Sequence, residues 1–333
     1  MNYDVFFFEA FEEEQQMLRE HMPDQIRAGY TWKTIQEAGE HALPAPLISV
    51  RTQSAIPVAW ANSMAGILTR STGYDHVQSY RRMCNTDVPA GCLPLYCNRS
   101  VAEQALLLWM ALLRRLPRQM DHFAAFQRDD LTGRECLSKT LLTVGIGNIG
   151  SEVIKIASGL GMTALGVDVV ERYDFVEYVT YEEGAPRADI MVCAMNLTAE
   201  NCGYFNAERL RLAKPGVLFV NIARGELAPP ADLLQLMQEG HVAGAGLDVY
   251  DEEPELAVAL REGRLSVADA THPSPSVSAT LALARRLDVI TLPHNAFNTV
   301  EAVKRKAQQS VDTVLTFLSD GTFTHPVPSA LPA

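Results

Sequence analysis

The chain has 333 residues, 28 Lys plus Arg against 40 Asp plus Glu for a formal charge of −12, and 47% hydrophobic residues. That length exceeds what one hydrophobic core usually serves, so two domains able to enclose a cleft are expected. The negative balance excludes nucleic acid and anionic membrane surfaces as partners, and a small acid substrate would need a local positive site.

The opening stretch, Met1 to Glu14, is apolar only from Val5 to Phe8 and lacks the basic start of a signal peptide. The longest apolar run, Ala105 to Leu113, is too short to span a bilayer, so a cytoplasmic location is expected. Six cysteines (Cys84, Cys92, Cys97, Cys136, Cys193, Cys202) show neither C-x-x-C pairing nor histidines at zinc-finger spacing, which predicts reduced thiols and no metal site.

In chain order, Tyr3 to Phe8 reads as a strand and Glu9 to Glu20 as the helix after it. Leu47 to Arg51 and Gly66 to Thr69 read as short buried strands, an α/β alternation. Two prolines and a glycine between Asp87 and Arg99 predict an irregular crossing between domains. Ser100 with Glu103 forms a candidate capping box for an apolar helix over Val101 to Arg115, a helix greasy enough to need burial in its own domain or against a second subunit.

From Thr140 the alternation resumes, with strands at Leu141–Val144, Ala164–Val167, Ile190–Ala194, Val217–Ile222 and Gly246–Val249, and helices at Ile149–Leu160 and Asp232–Glu239. The pattern predicts a doubly wound parallel sheet. Thr271 to Ser278 reads as a turn-rich surface loop, and Thr299 to Leu318 as a last amphipathic helix.

Gly145-Ile146-Gly147-Asn148-Ile149-Gly150 is G-x-G-x-x-G between a strand and a helix. Glycines at these positions permit a tight turn, close approach of a pyrophosphate and close helix packing, while the helix N-terminus offers free N–H groups. Asp168 ends the next strand, where a carboxylate can bind ribose hydroxyls and repel a 2′-phosphate, so NAD is favoured over NADP.

Three further segments follow strands: Asn221-Ile-Ala-Arg224-Gly225, Gly246-Leu-Asp248 through Glu253-Pro254, and Leu292-Pro-His294-Asn-Ala-Phe297. An arginine, an acid and a histidine are what reduction of a 2-oxo acid requires: a cation for the carboxylate, a proton donor for the carbonyl oxygen and a group that tunes the donor.

With the glycine motif, these segments resemble the D-isomer-specific 2-hydroxyacid dehydrogenase family across nearly the whole chain. The resemblance implies two parallel-sheet α/β domains with the active site in the cleft between them. A flavodoxin-like substrate domain would comprise residues 1–98 and 299–333, and a Rossmann NAD domain residues 99–298. It implies that Arg224 binds the substrate carboxylate and carbonyl, that His294 is the acid in reduction and base in oxidation, and that Glu253 raises the His294 pKa. Cofactor contacts would extend to Met195, Asn201, Ile222, Ala223 and Asp248.

Ser71-Thr72-Gly73-Tyr74-Asp75 resembles the family loop whose backbone N–H groups, here of Thr72 and Gly73, receive the substrate carboxylate. Leu93-Pro-Leu-Tyr96 and His294-Asn-Ala-Phe297 resemble the D-lactate dehydrogenase branch, with Tyr96 in the active site and Phe297 lining the side-chain pocket. Thr72 stands where the phosphite-oxidising branch has lysine, and Glu253 where the formate-oxidising branch has glutamine, which disfavours both substrates.

Met195-Asn196 departs from the usual hydrophobic-Pro pair, and Ala228-Pro229-Pro230 from a Val-Asp. A glyoxylate/hydroxypyruvate or phosphoglycerate-type dehydrogenase, or an NADH-sensing corepressor, remain alternatives of the same fold. The resemblance also implies a homodimer joined near the Val101 to Arg115 helix.

Overall fold

The computed structural model describes residues 2–269 and 271–329. The chain forms two compact units, Met1–Cys97 with Asn298–Ala333, and Asn98–Phe297. Residues 330–333 of the expected substrate domain lie outside the described residues.

The first unit is built on a five-stranded sheet of β1 (Val5–Phe7), β2 (Ala28–Tyr30), β3 (Leu47–Val50), β4 (Gly66–Thr69) and β5 (Ala90–Gly91), in the order β2-β1-β3-β4-β5. All its pairings are parallel. β1, β3 and β4 are buried along their length, as strands covered on both faces must be.

The first helix starts at Glu12, three residues later than expected. Glu9 has a left-handed backbone (φ 54°) and turns its carboxylate to the backbone N–H groups of Arg51, Gln53 and Ser54 at 2.9 to 3.2 Å. It ties the end of β1 to the end of β3 instead of opening a helix. β5 lies inside the stretch expected to be irregular, because its residues pair with β4 and Gly91 bridges Pro326 from the chain's other end.

The second unit has a seven-stranded sheet. Its strands are β6 (Thr140–Val144), β7 (Thr163–Val167), β8 (Glu177–Tyr178), β9 (Ile190–Cys193), β10 (Val217–Asn221), β11 (Val242–Leu247) and β12 (Val289–Thr291). They run parallel in the order β12-β11-β10-β9-β6-β7-β8, so the order reverses between β6 and β9. Open sheets of this kind bind ligands at such a switch point, beyond the carboxyl ends of the strands.

Helix Asn98–Leu113 lies against this sheet, and Ser100 is buried inside it rather than capping it. Glu103 pairs with Arg99 at 2.6 Å, so the expected capping box does not form. β11 begins four residues before the expected Gly246. Its Gly244 and Gly246 lack the β-branched signature, and a Cβ on Gly246 would stand 2.9 Å from Leu108 of that helix. The expected loop at Thr271–Ser278 contains a helix start. Ser274 accepts the N–H of Val277 and Pro275 opens a helix to Ala284, a serine cap with proline at the first helical position.

Three charged side chains lie in the core of the first unit. Glu14, Arg70 and Lys306 are each 0% exposed, and one Glu14 oxygen meets Arg70 Nε at 2.9 Å and Lys306 Nζ at 2.8 Å. Arg70 also donates to Ser49 Oγ and to the Phe8 carbonyl. This joins the helices Glu12–His21 and Val300–Asp320 to the ends of β1, β3 and β4.

Burial works to raise the Glu14 pKa, but Arg70, Lys306 and Arg51 overcome it and hold the carboxyl down to about 2. A carboxyl depressed on folding stabilises the fold above its ordinary range, and that contribution is lost as pH falls from there toward 2. Glu14→Gln leaves the buried Arg70 guanidinium without its anion, and with it the Lys306 amine, which burial already pushes down to about 7. It is expected to lower stability by about 3 to 5 kcal/mol at neutral pH and to flatten the acid limb of stability against pH, read by urea unfolding at several pH values.

Candidate active site

The turn after β6 is shaped by contacts that only glycine allows. Gly145 has φ 96°, and a Cβ there would stand 2.5 Å from the Met195 backbone after β9. A Cβ on Gly150 would stand 2.0 Å from the Gly145 carbonyl oxygen, so the helix Asn148–Gly159 packs directly on the turn. Gly147 faces open space, and no side chain caps the N–H groups that begin the helix.

The Asp168 carboxylate, at the end of β7, accepts the Ile146 N–H at 2.6 Å and the Val170 N–H at 3.1 Å. An uncapped helix start, an open glycine and a carboxylate one strand away fit the pyrophosphate and ribose of NAD. Asn148 is exposed and Ile149 half-buried at the helix start. Asn201 folds its own loop, donating to Asn196 O and accepting from Thr198 N, both at 2.7 Å.

Beyond β10, the buried Asn221 side chain accepts the Ala223 N–H at 3.1 Å and donates to the Arg224 carbonyl at 2.8 Å, which folds the loop carrying Ile222, Ala223 and Arg224. Arg224 Nη1 donates to the Ala223 carbonyl at 2.8 Å. A Cβ on Gly225 would lie 1.8 Å from the Tyr250 carbonyl carbon, so the loop after β10 is pressed onto the loop after β11.

Beyond β11 and β12 the acid and the imidazole meet. His294 Nδ1 lies 2.6 Å from Glu253 Oε1, with the two side chains 18% and 12% exposed, leaving the other ring nitrogen for a second partner. Glu253 is the first residue of helix Glu253–Arg261, where its negative charge suits the helix dipole.

His294 itself has φ 52°, a left-handed conformation that costs a non-glycine residue about 1 to 3 kcal/mol and persists only where its surroundings impose it. Two residues impose it. Asp248, 1% exposed, accepts the N–H groups of Asn295 and Ala296 at 2.8 and 2.9 Å, and Tyr250 Oη donates to the Leu292 carbonyl at 2.7 Å. Burial raises the Asp248 pKa, with His294 and the two N–H groups opposing it. Both Asp248 oxygens are thus engaged by the histidine loop. Phe297, which closes that segment, is buried.

The first unit gathers its own set. Thr72 Oγ1 lies 3.4 Å from the Leu93 carbonyl and 3.5 Å from Cys97 Sγ, and the Gly73 carbonyl accepts the Ser71 hydroxyl at 2.6 Å. Tyr96 is buried, its carbonyl accepts from Arg305 at 2.9 Å, and its ring lies 5.7 Å from Lys306 Nζ. Burial pushes its phenol well above the ordinary value.

Asn221, Tyr250 and the Glu14–Arg70–Lys306 cluster are not among the residues that the sequence singles out. Asn221 and Tyr250 stand inside the quoted motifs, but the carbonyl that Tyr250 holds is 42 residues away. Among the described residues no cluster of three His, Cys, Asp or Glu could hold a metal, and no helix is long and apolar enough to cross a membrane.

The model of the family described as D-isomer specific 2-hydroxyacid dehydrogenase, NAD binding domain, matches residues 106–296. A D-3-phosphoglycerate dehydrogenase of Bacillus subtilis is 32% identical over 225 residues, 66% of this chain but only 38% of that protein. A D-lactate dehydrogenase of Streptococcus agalactiae is 29% identical over 243 residues, 70% of each chain. Among solved structures, D-lactate dehydrogenase from Aquifex aeolicus complexed with NAD and lactic acid matches with a TM-score of 0.81 at 26% identity, covering 99% of this chain and 100% of that one.

Asp248→Ala would strand the two N–H groups it receives. The expected result is a loss of about 1 to 3 kcal/mol and faster amide exchange at Asn295 and Ala296, measured by hydrogen–deuterium exchange.

Proposed function

The chain belongs to the D-isomer specific 2-hydroxyacid dehydrogenase family, and on that premise we propose that it interconverts a small 2-oxo acid and its D-2-hydroxy acid with NAD, in the manner of a D-lactate dehydrogenase. The observation that carries this reading is the His294–Glu253 pair at 2.6 Å, beside the Arg224 loop at the carboxyl edge of a sheet whose switch point holds the glycine turn.

Bound NAD supplies the hydride acceptor or donor. The chain supplies the rest. Arg224 offers its guanidinium to the carboxylate and carbonyl of the substrate, a fixed charge where charge develops during reduction. His294 uses Nε2 to give a proton to the carbonyl oxygen in reduction and to take it from the hydroxyl in oxidation. Glu253, 2.6 Å from Nδ1, fixes the ring's orientation and leaves Nε2 to face the substrate. Asp248 and Tyr250 hold the histidine loop, Met195, Asn201, Ile222 and Ala223 shape the cofactor's surroundings, and Asp168 favours the 2′-hydroxyl of NAD.

We assign the Thr72 and Gly73 N–H groups to the substrate carboxylate, Tyr96 to its orientation and Phe297 to the wall facing its side chain. Aromatic walls suit pyruvate and larger apolar 2-oxo acids. An aromatic 2-oxoacid reductase of Clostridium sporogenes, 28% identical over 263 residues, keeps phenylpyruvate on the substrate panel.

His294→Gln is expected to lower kcat by about a thousandfold while leaving NADH binding unchanged, read by steady-state assay and fluorescence titration. Full activity in that variant overturns the assignment. Because the donor must be protonated for reduction and deprotonated for oxidation, the reduction optimum should lie at lower pH.

A homodimer joined near helix Asn98–Leu113 is part of the same proposal. Leu107, Met120, Phe123 and Phe126 are 54%, 70%, 75% and 73% exposed, large apolar side chains on or just after the helices Asn98–Leu113 and Leu116–His122 that a partner surface would cover. Phe123→Asp with Met120→Asp should convert dimer to monomer in sedimentation velocity.

A further inference from the structure

At the amino end of the seven-stranded sheet, opposite the catalytic residues, lies a cavity of about 210 Å³ lined by Arg115, Arg118 and Arg134, with Leu218 of β10, Ala243 of β11 and Asp288 just before β12. The arginines come from the turn after helix Asn98–Leu113, from helix Leu116–His122 and from the loop leading to β6. A chain of charge −12 has thus placed three arginines along one hollow.

The charges are not balanced locally. Arg115 donates to the Asp130 carbonyl at 2.7 Å, which carries no formal charge. The Arg118 and Arg134 side chains make no ion pair or hydrogen bond among the described residues. The acid that lines the cavity, Asp288, already has both oxygens on Arg286 at 2.8 Å.

Arg134 is also held by its backbone. Its N–H donates to the Leu113 carbonyl at 2.9 Å, and Gly133 makes that approach possible, since a Cβ there would stand 2.6 Å from the same oxygen. Arginines brought to one hollow by separate segments suit a tetrahedral oxyanion, which accepts forked hydrogen bonds from several directions.

We propose that this cavity binds a phosphate group, either free or carried on a small metabolite, at a site distinct from that of NAD and substrate. The position has a mechanical consequence. β10, β11 and β12 run from this hollow to the loops of Arg224, Glu253 and His294, so an anion here sits at one end of the strands that place the three.

The test is calorimetric titration of the full chain, saturated with NADH so that the glycine turn is filled, with inorganic phosphate and separately with glycerol phosphate, against sodium chloride at matched ionic strength. Saturable binding is expected, with Kd about 1 mM or tighter, weakened about tenfold or more in Arg118→Ala/Arg134→Ala. NADH binding confirms that the variant is folded, and the single Arg118→Ala variant serves if the double one is not. Tighter binding of the ester assigns the site to a metabolite, and equal or tighter binding of the inorganic ion assigns it to free phosphate. No saturable binding up to about 50 mM, a concentration at which even a 10 mM Kd would be evident, overturns the proposal. So does unchanged binding in a folded variant, which leaves these arginines the lesser role of balancing the carbonyl end of the neighbouring helix.

Discussion

An imidazole and a carboxylate 41 residues apart in the chain stand 2.6 Å from each other, and much of the second unit is arranged to keep them there. β11 and β12 are parallel neighbours, so the loops that follow them leave the sheet side by side. Asp248 and Tyr250, on the β11 side, then hold the backbone of the β12 loop, and the histidine accepts a left-handed conformation that it would not adopt alone. The strain of about 1 to 3 kcal/mol is of the same order as what hydrogen bonds to a buried carboxylate return.

Close backbone packing does the same for the other loops. Gly145, Gly150 and Gly225 each stand where a Cβ would meet a neighbouring backbone atom at 2.5 Å or less. The turn after β6, the loop after β9 and the loops after β10 and β11 are therefore fixed by main-chain contact, which leaves little rotamer freedom to blur the site. The first unit achieves rigidity differently, through one buried carboxylate shared by an arginine and a lysine from distant segments.

Most strands of the second unit are legible because they are apolar runs separated by turn chemistry, with the glycine motif between a strand and a helix, whereas β8 is two polar-edged residues that carry no such run. Features that depend on distant partners were less so. The alternating glycines of β11 hide a strand whose small residues answer to Leu108. β5 is two residues long and exists only through its neighbours. Ser274-Pro275 has the chemistry of a turn and of a helix start alike, and the apolar run after it decides between them.

Among the candidate site residues, Arg224, Glu253 and His294 stand out in the sequence by their order after successive strands, because parallel sheets put such ends on one edge. Tyr250 and Glu14 have no such signature, since each acts on a carbonyl or a buried charge far along the chain, whereas Asn221 acts only on the Ala223 N–H and the Arg224 carbonyl of its own loop. The left-handed backbone at His294 is likewise invisible in a histidine codon and follows only from the packing of two loops.

The most direct test of the account follows the transferred atom. Pyruvate is incubated with NADH deuterated at the reactive carbon of the nicotinamide, and the lactate is examined by NMR and chiral chromatography. The account predicts D-lactate carrying deuterium at C2. L-lactate, or D-lactate with only solvent hydrogen at C2, would contradict it.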